Sequence, residues 1–161
     1  MSLKKNVFIS HHHKDDGLVD KMTSLLSQNG CEIRNSSIRA KPANQERLDK
    51  GLVKEKTIER LLRMKMSWAG TVIVLVGKET HTRPWVNWEI EEAKRQGKNI
   101  VGVYEQGLKD NVELPDALKR YGTSQVGWNS GSIINAINGN STFQNSDGSP
   151  SARRDGYHGV C

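Results

Sequence analysis

Thr71-Val72-Ile73-Val74-Leu75-Val76 is followed, after a short loop that holds Pro84, by Trp85-Val86-Asn87-Trp88-Glu89-Ile90. Val and Ile dominate the first run without polar alternation, which is how a strand buried on both faces of a parallel sheet reads. The second run opens a helix that continues to Gln96 and stops at Gly97. In an α/β sheet, the loop between such a strand and helix lies on the edge where ligands bind.

Strand and helix patterns alternate outward from this pair. Asn6 to Ser10 is a short apolar strand, and Asp15, Asp16 and Gly17 start a helix with Leu18, Met22, Leu25 and Leu26 on its buried face. Asn29-Gly30 ends that helix, and Cys31 to Arg34 is a weaker, peripheral strand. Asn35 to Gly51 is polar, basic and without period, a long loop. A helix over Val53 to Trp68 carries Ile58, Leu61, Leu62 and Ala69 as its stripe. Beyond the central pair come a strand at Asn99 to Tyr104, a short helix from Leu114 to Tyr121, a weak strand at Ser124 to Trp128 and a last helix at Ser132 to Ile137. Five such alternations predict an α/β fold with a flavodoxin-like five-stranded parallel sheet, order 2-1-3-4-5, and helices on both faces. Its switch point falls between strands 1 and 3, so a ligand is expected between the loops at His11 to Gly17 and Gly77 to Pro84.

At about 100° per residue, Val86, Ile90 and Ala93 form one apolar stripe of the third helix. Glu89 lies roughly 65° from its centre, and Glu91 and Glu92 roughly 130° away. One acid of three therefore borders the core, in the first turn, between Trp85 and Trp88 and near the positive end of the helix dipole. A dry, fixed carboxylate suits stabilisation of a developing sugar cation. The bland alternative is that Glu89 caps the helix or pairs with a Lys or Arg.

His11-His12-His13 lies on the same edge. Neighbouring residues point in different directions, so a shared metal with Asp15 and Asp16 is not expected; contact of Ser10 or His11 with a phosphate or ribose is, against the alternative of an exposed polar loop. No P-loop, G-x-G-x-x-G or nucleophile elbow is present.

The net charge of +6 is concentrated: residues 34–65 hold ten basic and four acidic residues, and the rest of the chain is balanced at 14 each. That segment suits an anionic partner, or is a solvated face. At 161 residues the chain is about one domain. No run reaches the roughly 20 apolar residues of a membrane helix, and the start is too short for a secretory h-region. Cys31 and Cys161 fit a reducing cytosol better than a disulfide scaffold. A cytoplasmic protein is expected.

Val7-Phe8-Ile9-Ser10-His11, Asp15-Asp16, Val74 to Thr80, Trp85 to Ile90 and Gly97 to Val103 together resemble a bacterial TIR-like domain of the branch tied to Thoeris anti-phage defence. The likeness covers roughly residues 5 to 137. It implies residues 1–139 as the TIR-like domain; residues 140–161, rich in Ser, Asn, Gly and Arg, read from their composition as an irregular tail. The resemblance also implies cleavage of the nicotinamide–ribose bond of NAD as substrate, without a further cofactor, giving a cyclic or conjugated ADP-ribose signal for a separate effector. The family's W-x-x-x-E glutamate falls on Glu89. Phe8, Ser10 and His11 carry over as substrate-binding positions, and Trp85 and Trp88 as the aromatics around the glutamate. Homo-oligomers are expected; membrane and nucleic acid are not. The alternative is a non-catalytic adaptor that works by homotypic assembly. Asn35-Ser36-Ser37 departs from the Asp that many relatives carry after the second strand, and the histidine run is longer than usual.

Overall fold

A computed structural model describes residues 3–11, 16–35, 55–108, 112–146, 148 and 149. His12, His13, Asp15, most of the loop expected between Asn35 and Gly51 and the tail beyond Ser149 lie outside the described residues. The order is β1 (Leu3–Ser10), α1 (Asp16–Gln28), β2 (Cys31–Asn35), α2 (Glu55–Ser67), β3 (Thr71–Val76), α3 (Pro84–Arg95), β4 (Asn99–Tyr104), α4 (Asp116–Tyr121), β5 (Ser124–Val126) and α5 (Ser130–Ile137). All pairings are parallel and the sheet runs β2-β1-β3-β4-β5, the flavodoxin-like order expected. No described helix is long and apolar enough to cross a membrane.

The core has two layers. Val7, Ile9, Ile73, Leu75, Val101 and Val103 face α1 and α5, whose Val19, Met22, Leu26, Ile133 and Ile137 complete one cluster. Phe8, Val72, Val74, Val76 and Ile100 face the other way, against Leu62 and Met66 of α2, Val86, Ile90 and Ala93 of α3, and Leu118 of α4. Every residue of β3 is buried, as a central parallel strand requires.

β1 begins three residues earlier than the apolar run suggests, because Leu3, Lys4 and Lys5 pair with Cys31, Glu32 and Ile33 of the edge strand β2. Met66 rather than Leu61 is the fully buried member of the α2 stripe. The start of the tail is ordered against the sheet: Gln125 N–H donates to Thr142 O at 2.8 Å and Gln144 N–H donates to Gln125 O at 2.7 Å. These bonds cover the free side of β5, which would otherwise be an open edge.

α3 owes its direction to its ends. Pro84 occupies the first turn, where its missing N–H costs nothing. Gly97, at φ 72°, reverses the chain, and Lys98 N–H donates back to Ala93 O at 2.9 Å. Between them Val86, Ile90 and Ala93 are the buried stripe that the periodicity predicts.

Candidate active site

The C-terminal end of β1 lies beside β3, with Ser10 in register with Val74. Strand alternation sends Phe8 and Ser10 to the α3 side of the sheet. Phe8 is sealed in the core with Val86 and Ile90. Ser10, two residues nearer the strand end, is also buried, and its Oγ donates to Glu89 Oε1 at 2.8 Å. This bond joins residues 79 apart in sequence, at the switch point between the first and third strands.

Glu89 is 8% exposed. Burial pushes its carboxyl up to about 8, and the Ser10 hydroxyl offsets only part of that rise. Among the described residues no Lys, Arg or His forms an ion pair with it. It sits sixth in α3, in the second turn, because the helix starts at Pro84. The expected first-turn position and the dipole's preference for the ionised form are corrected accordingly. A dipole effect of about 0.3–1 kcal/mol, confined to the first turn, cannot offset the desolvation that carries the group so far above its ordinary value.

The rest of the Trp85 to Ile90 run is divided among neighbours. Val86 and Ile90 fill the core. Asn87 Oδ1 accepts from Ala117 N–H at 3.0 Å and so caps α4, which fixes the rotation of α3 from the far side. Trp85 and Trp88, both half-buried, meet edge to face with centroids 5.5 Å apart. Arg63 of α2 lies over Trp88, its guanidinium carbon 5.4 Å from the ring centroid.

Glu92 overturns one expectation. The 130° offset from the apolar stripe places it in water, yet it is 4% exposed. Arg95 Nη2 holds both its oxygens at 2.7 Å, Arg63 Nε reaches Oε1 at 3.0 Å and Gln96 Nε2 reaches Oε2 at 3.0 Å. Burial alone raises its pKa, but the bonds from Arg95, Gln96 and Arg63 outweigh it and hold the carboxyl below the usual range. The ion-paired acid of this helix is therefore Glu92, not Glu89. Helical periodicity missed it because the cover comes from Arg63 on another helix.

His11 is half-buried at the mouth of the same edge, and its Nδ1 lies 2.9 Å from Ile9 O. Since a carbonyl only accepts, Nδ1 carries a proton, which fixes the ring and leaves Nε2 as its other polar atom. Asn35 accepts from Ile9 N–H through Oδ1 at 3.2 Å. It ties the ends of β1 and β2 beside Ser10. Among the described residues no group of three His, Cys, Asp or Glu could hold a metal ion.

Among the described residues the arrangement offers one buried, hydrogen-bonded carboxyl without a cation, an indole pair on the same helix and an imidazole at the strand end. A ligand that brings its own positive charge would find in Glu89 a partner that gains from ionising.

A family model described as "Thoeris protein ThsB, TIR-like domain" matches residues 8–110, a span that holds Ser10, His11, Trp85, Trp88 and Glu89. A protein of Bacillus cereus (strain MSX-D12) named "Putative cyclic ADP-D-ribose synthase ThsB1" is 24% identical over 108 residues, 67% of this chain and 55% of that relative. The chain thus spans about half the length of the relative it matches.

Proposed function

This chain belongs to the Thoeris ThsB TIR-like domain family, and from that premise we propose that it cleaves the nicotinamide–ribose bond of NAD to make an ADP-ribose-derived signal in anti-phage defence. The observation that carries the reading is the Ser10–Glu89 pair: a carboxyl pushed up to about 8 by burial and held at 2.8 Å by a strand-end hydroxyl, with no cation paired to it among the described residues.

In the free protein at pH 7, about one Glu89 in ten is ionised for a group of that pKa. The pyridinium of NAD supplies the missing positive charge, and its approach draws the carboxyl toward the ionised form. The C1′–N bond then breaks. Its electron pair leaves on the nicotinamide nitrogen, which becomes neutral, and the positive charge passes to C1′ and the ring oxygen of the ribose. Glu89 carboxylate stabilises that oxocarbenium-like state. Ser10 keeps Oε1 oriented, and Trp85 and Trp88 limit water. With water limited, an adenine ring nitrogen of the same molecule or a second nucleophile takes C1′, which gives a cyclic or conjugated product; the relative's printed name supports the cyclic one. His11 is assigned to the ribose and diphosphate end. A separate effector would read the product, and assembly of several copies would complete the site.

The direct test incubates concentrated protein with NAD and identifies the products by mass spectrometry. Free nicotinamide with a cyclic or conjugated ADP-ribose mass is the expected result; intact NAD at all protein concentrations contradicts it.

One observation favours a second reading, an adaptor that works by homotypic assembly. Trp68 is 71% exposed and Met64 52% exposed, on or just beyond α2. Large apolar side chains left in water so close together suit a protein contact. An adaptor would keep the Ser10–Glu89 bond and self-associate, but release no nicotinamide.

A further inference from the structure

Arg63 belongs to α2, yet its guanidinium group reaches the aromatic side of α3 in two ways. Nε donates to Glu92 Oε1 at 3.0 Å, and the guanidinium carbon lies 5.4 Å from the Trp88 centroid. Trp88 meets Trp85 at 5.5 Å and 69°. Trp85 stands four residues before Glu89 and so shares its side of the helix, one turn earlier. The contacts therefore run from α2 through two indoles to the first turn of α3, one turn before the buried carboxyl.

Glu92 is the fixed point of this chain, held by Arg95 and Gln96 whether or not Arg63 is present. The Arg63 side chain is 45% exposed, so its ion pair contributes little to folding. A planar guanidinium can donate in its plane and lay its face over an indole, whereas an ammonium has no planar face and covers less of the ring. Trp88 is only half-buried, and without that cover the neighbouring rotamers are open to it.

We propose that Arg63 is a positioning residue: anchored on Glu92, it fixes Trp88, and through Trp88 the Trp85 ring, in the orientation that closes the site beside Glu89. Its effect on turnover rests on the NAD-cleaving reading above; its effect on the indoles does not. Arg63 touches no substrate. Its loss leaves Glu89 and Ser10 in place but lets the indoles turn, which admits water and shifts product from cyclic or conjugated toward linear ADP-ribose.

The test compares wild type with Arg63→Met, Arg63→Lys and Trp88→Phe. Two indoles this close give an exciton couplet in far-ultraviolet circular dichroism, which Trp88→Phe assigns by removing it. Arg63→Met is expected to lose most of the couplet, to lower kcat for nicotinamide release roughly tenfold with KM nearly unchanged, and to raise the linear product. Arg63→Lys, which keeps a cation beside Glu92 without the planar face, is expected to fall between. If Arg63→Met melts far below wild type, Arg63→Lys decides. An undiminished couplet with a wild-type product ratio in the folded variants overturns the proposal. Intact NAD after incubation with the wild type overturns the NAD reading instead, and the couplet then judges the positioning role by itself.

Discussion

Glu89 and Glu92 stand three residues apart on α3, and both are buried. Glu92 meets two arginines and a glutamine, and its carboxyl is held below the ordinary range. Glu89 meets one serine hydroxyl and is pushed up to about 8. Burial raises both; what separates them is the charge of the neighbours. An acid buried against cations is already satisfied and serves the fold. An acid buried without one is costly to ionise, and a cationic ligand can remove that cost. Burial alone therefore does not mark the candidate catalytic group on this helix.

The sharpest way to break this contrast is to neutralise each acid in turn. Glu89→Gln is expected to lower nicotinamide release roughly 10²–10³-fold. Glu92→Gln, which acts only by loosening Arg63, is expected to cost no more than roughly tenfold. Equal losses in the two variants, followed by nicotinamide release over time, would erase the distinction.

Stability should move the opposite way. Glu92→Ala is expected to destabilise by about 1–3 kcal/mol at pH 7, since it leaves two arginines without their shared acceptor, both partly in water. Glu89→Gln removes a group that resists ionisation, and should stabilise by on the order of 1–4 kcal/mol at pH 8 and much less at pH 5. Urea unfolding at the two pH values reads both effects.

The pH dependence carries the same signs in the wild type. The folded pKa of Glu89 is raised, so between about 4.5 and 8 the native state binds more protons than the unfolded one, and stability falls as pH rises through that window. The folded pKa of Glu92 is lowered, so its contribution is full above the unfolded value and is lost as pH falls through the folded one. Glu89→Gln should flatten the alkaline side of the stability profile and Glu92→Gln the acid side. A variant that flattens the wrong limb contradicts the assignment.

The smallest effect belongs to Ser10. Its hydroxyl lowers the Glu89 pKa, so Ser10→Ala should move the inflection of kcat/KM with pH upward by about half to one unit. An inflection that stays put would show that the bond does not act on the carboxyl.

These contrasts follow the line between what was legible in the sequence and what was not. The central strand and the stripe Val86, Ile90 and Ala93 could be read because they obey one local period, and the sheet order follows from five alternations. Glu89 could be singled out because its burial comes from its own helix's apolar side. Glu92 could not, because Arg63 lies 29 positions away on α2. Asn87 looks like an ordinary helix residue until Ala117, 30 positions on, needs a cap. Leu3, Lys4 and Lys5 lie before the apolar run that marks β1, and only pairing with β2 makes them strand. Topology brought Ser10 to the same edge as Glu89, but the bond between them is tertiary and has no spacing to read.

The most direct test of the central contrast is a carboxyl carbon NMR titration of protein labelled at glutamate, with Glu89→Gln and Glu92→Gln to assign the two signals. The structure predicts a Glu89 midpoint near 8 and a Glu92 midpoint below the ordinary glutamate value. A Glu89 signal that titrates like a water-exposed glutamate would contradict the account.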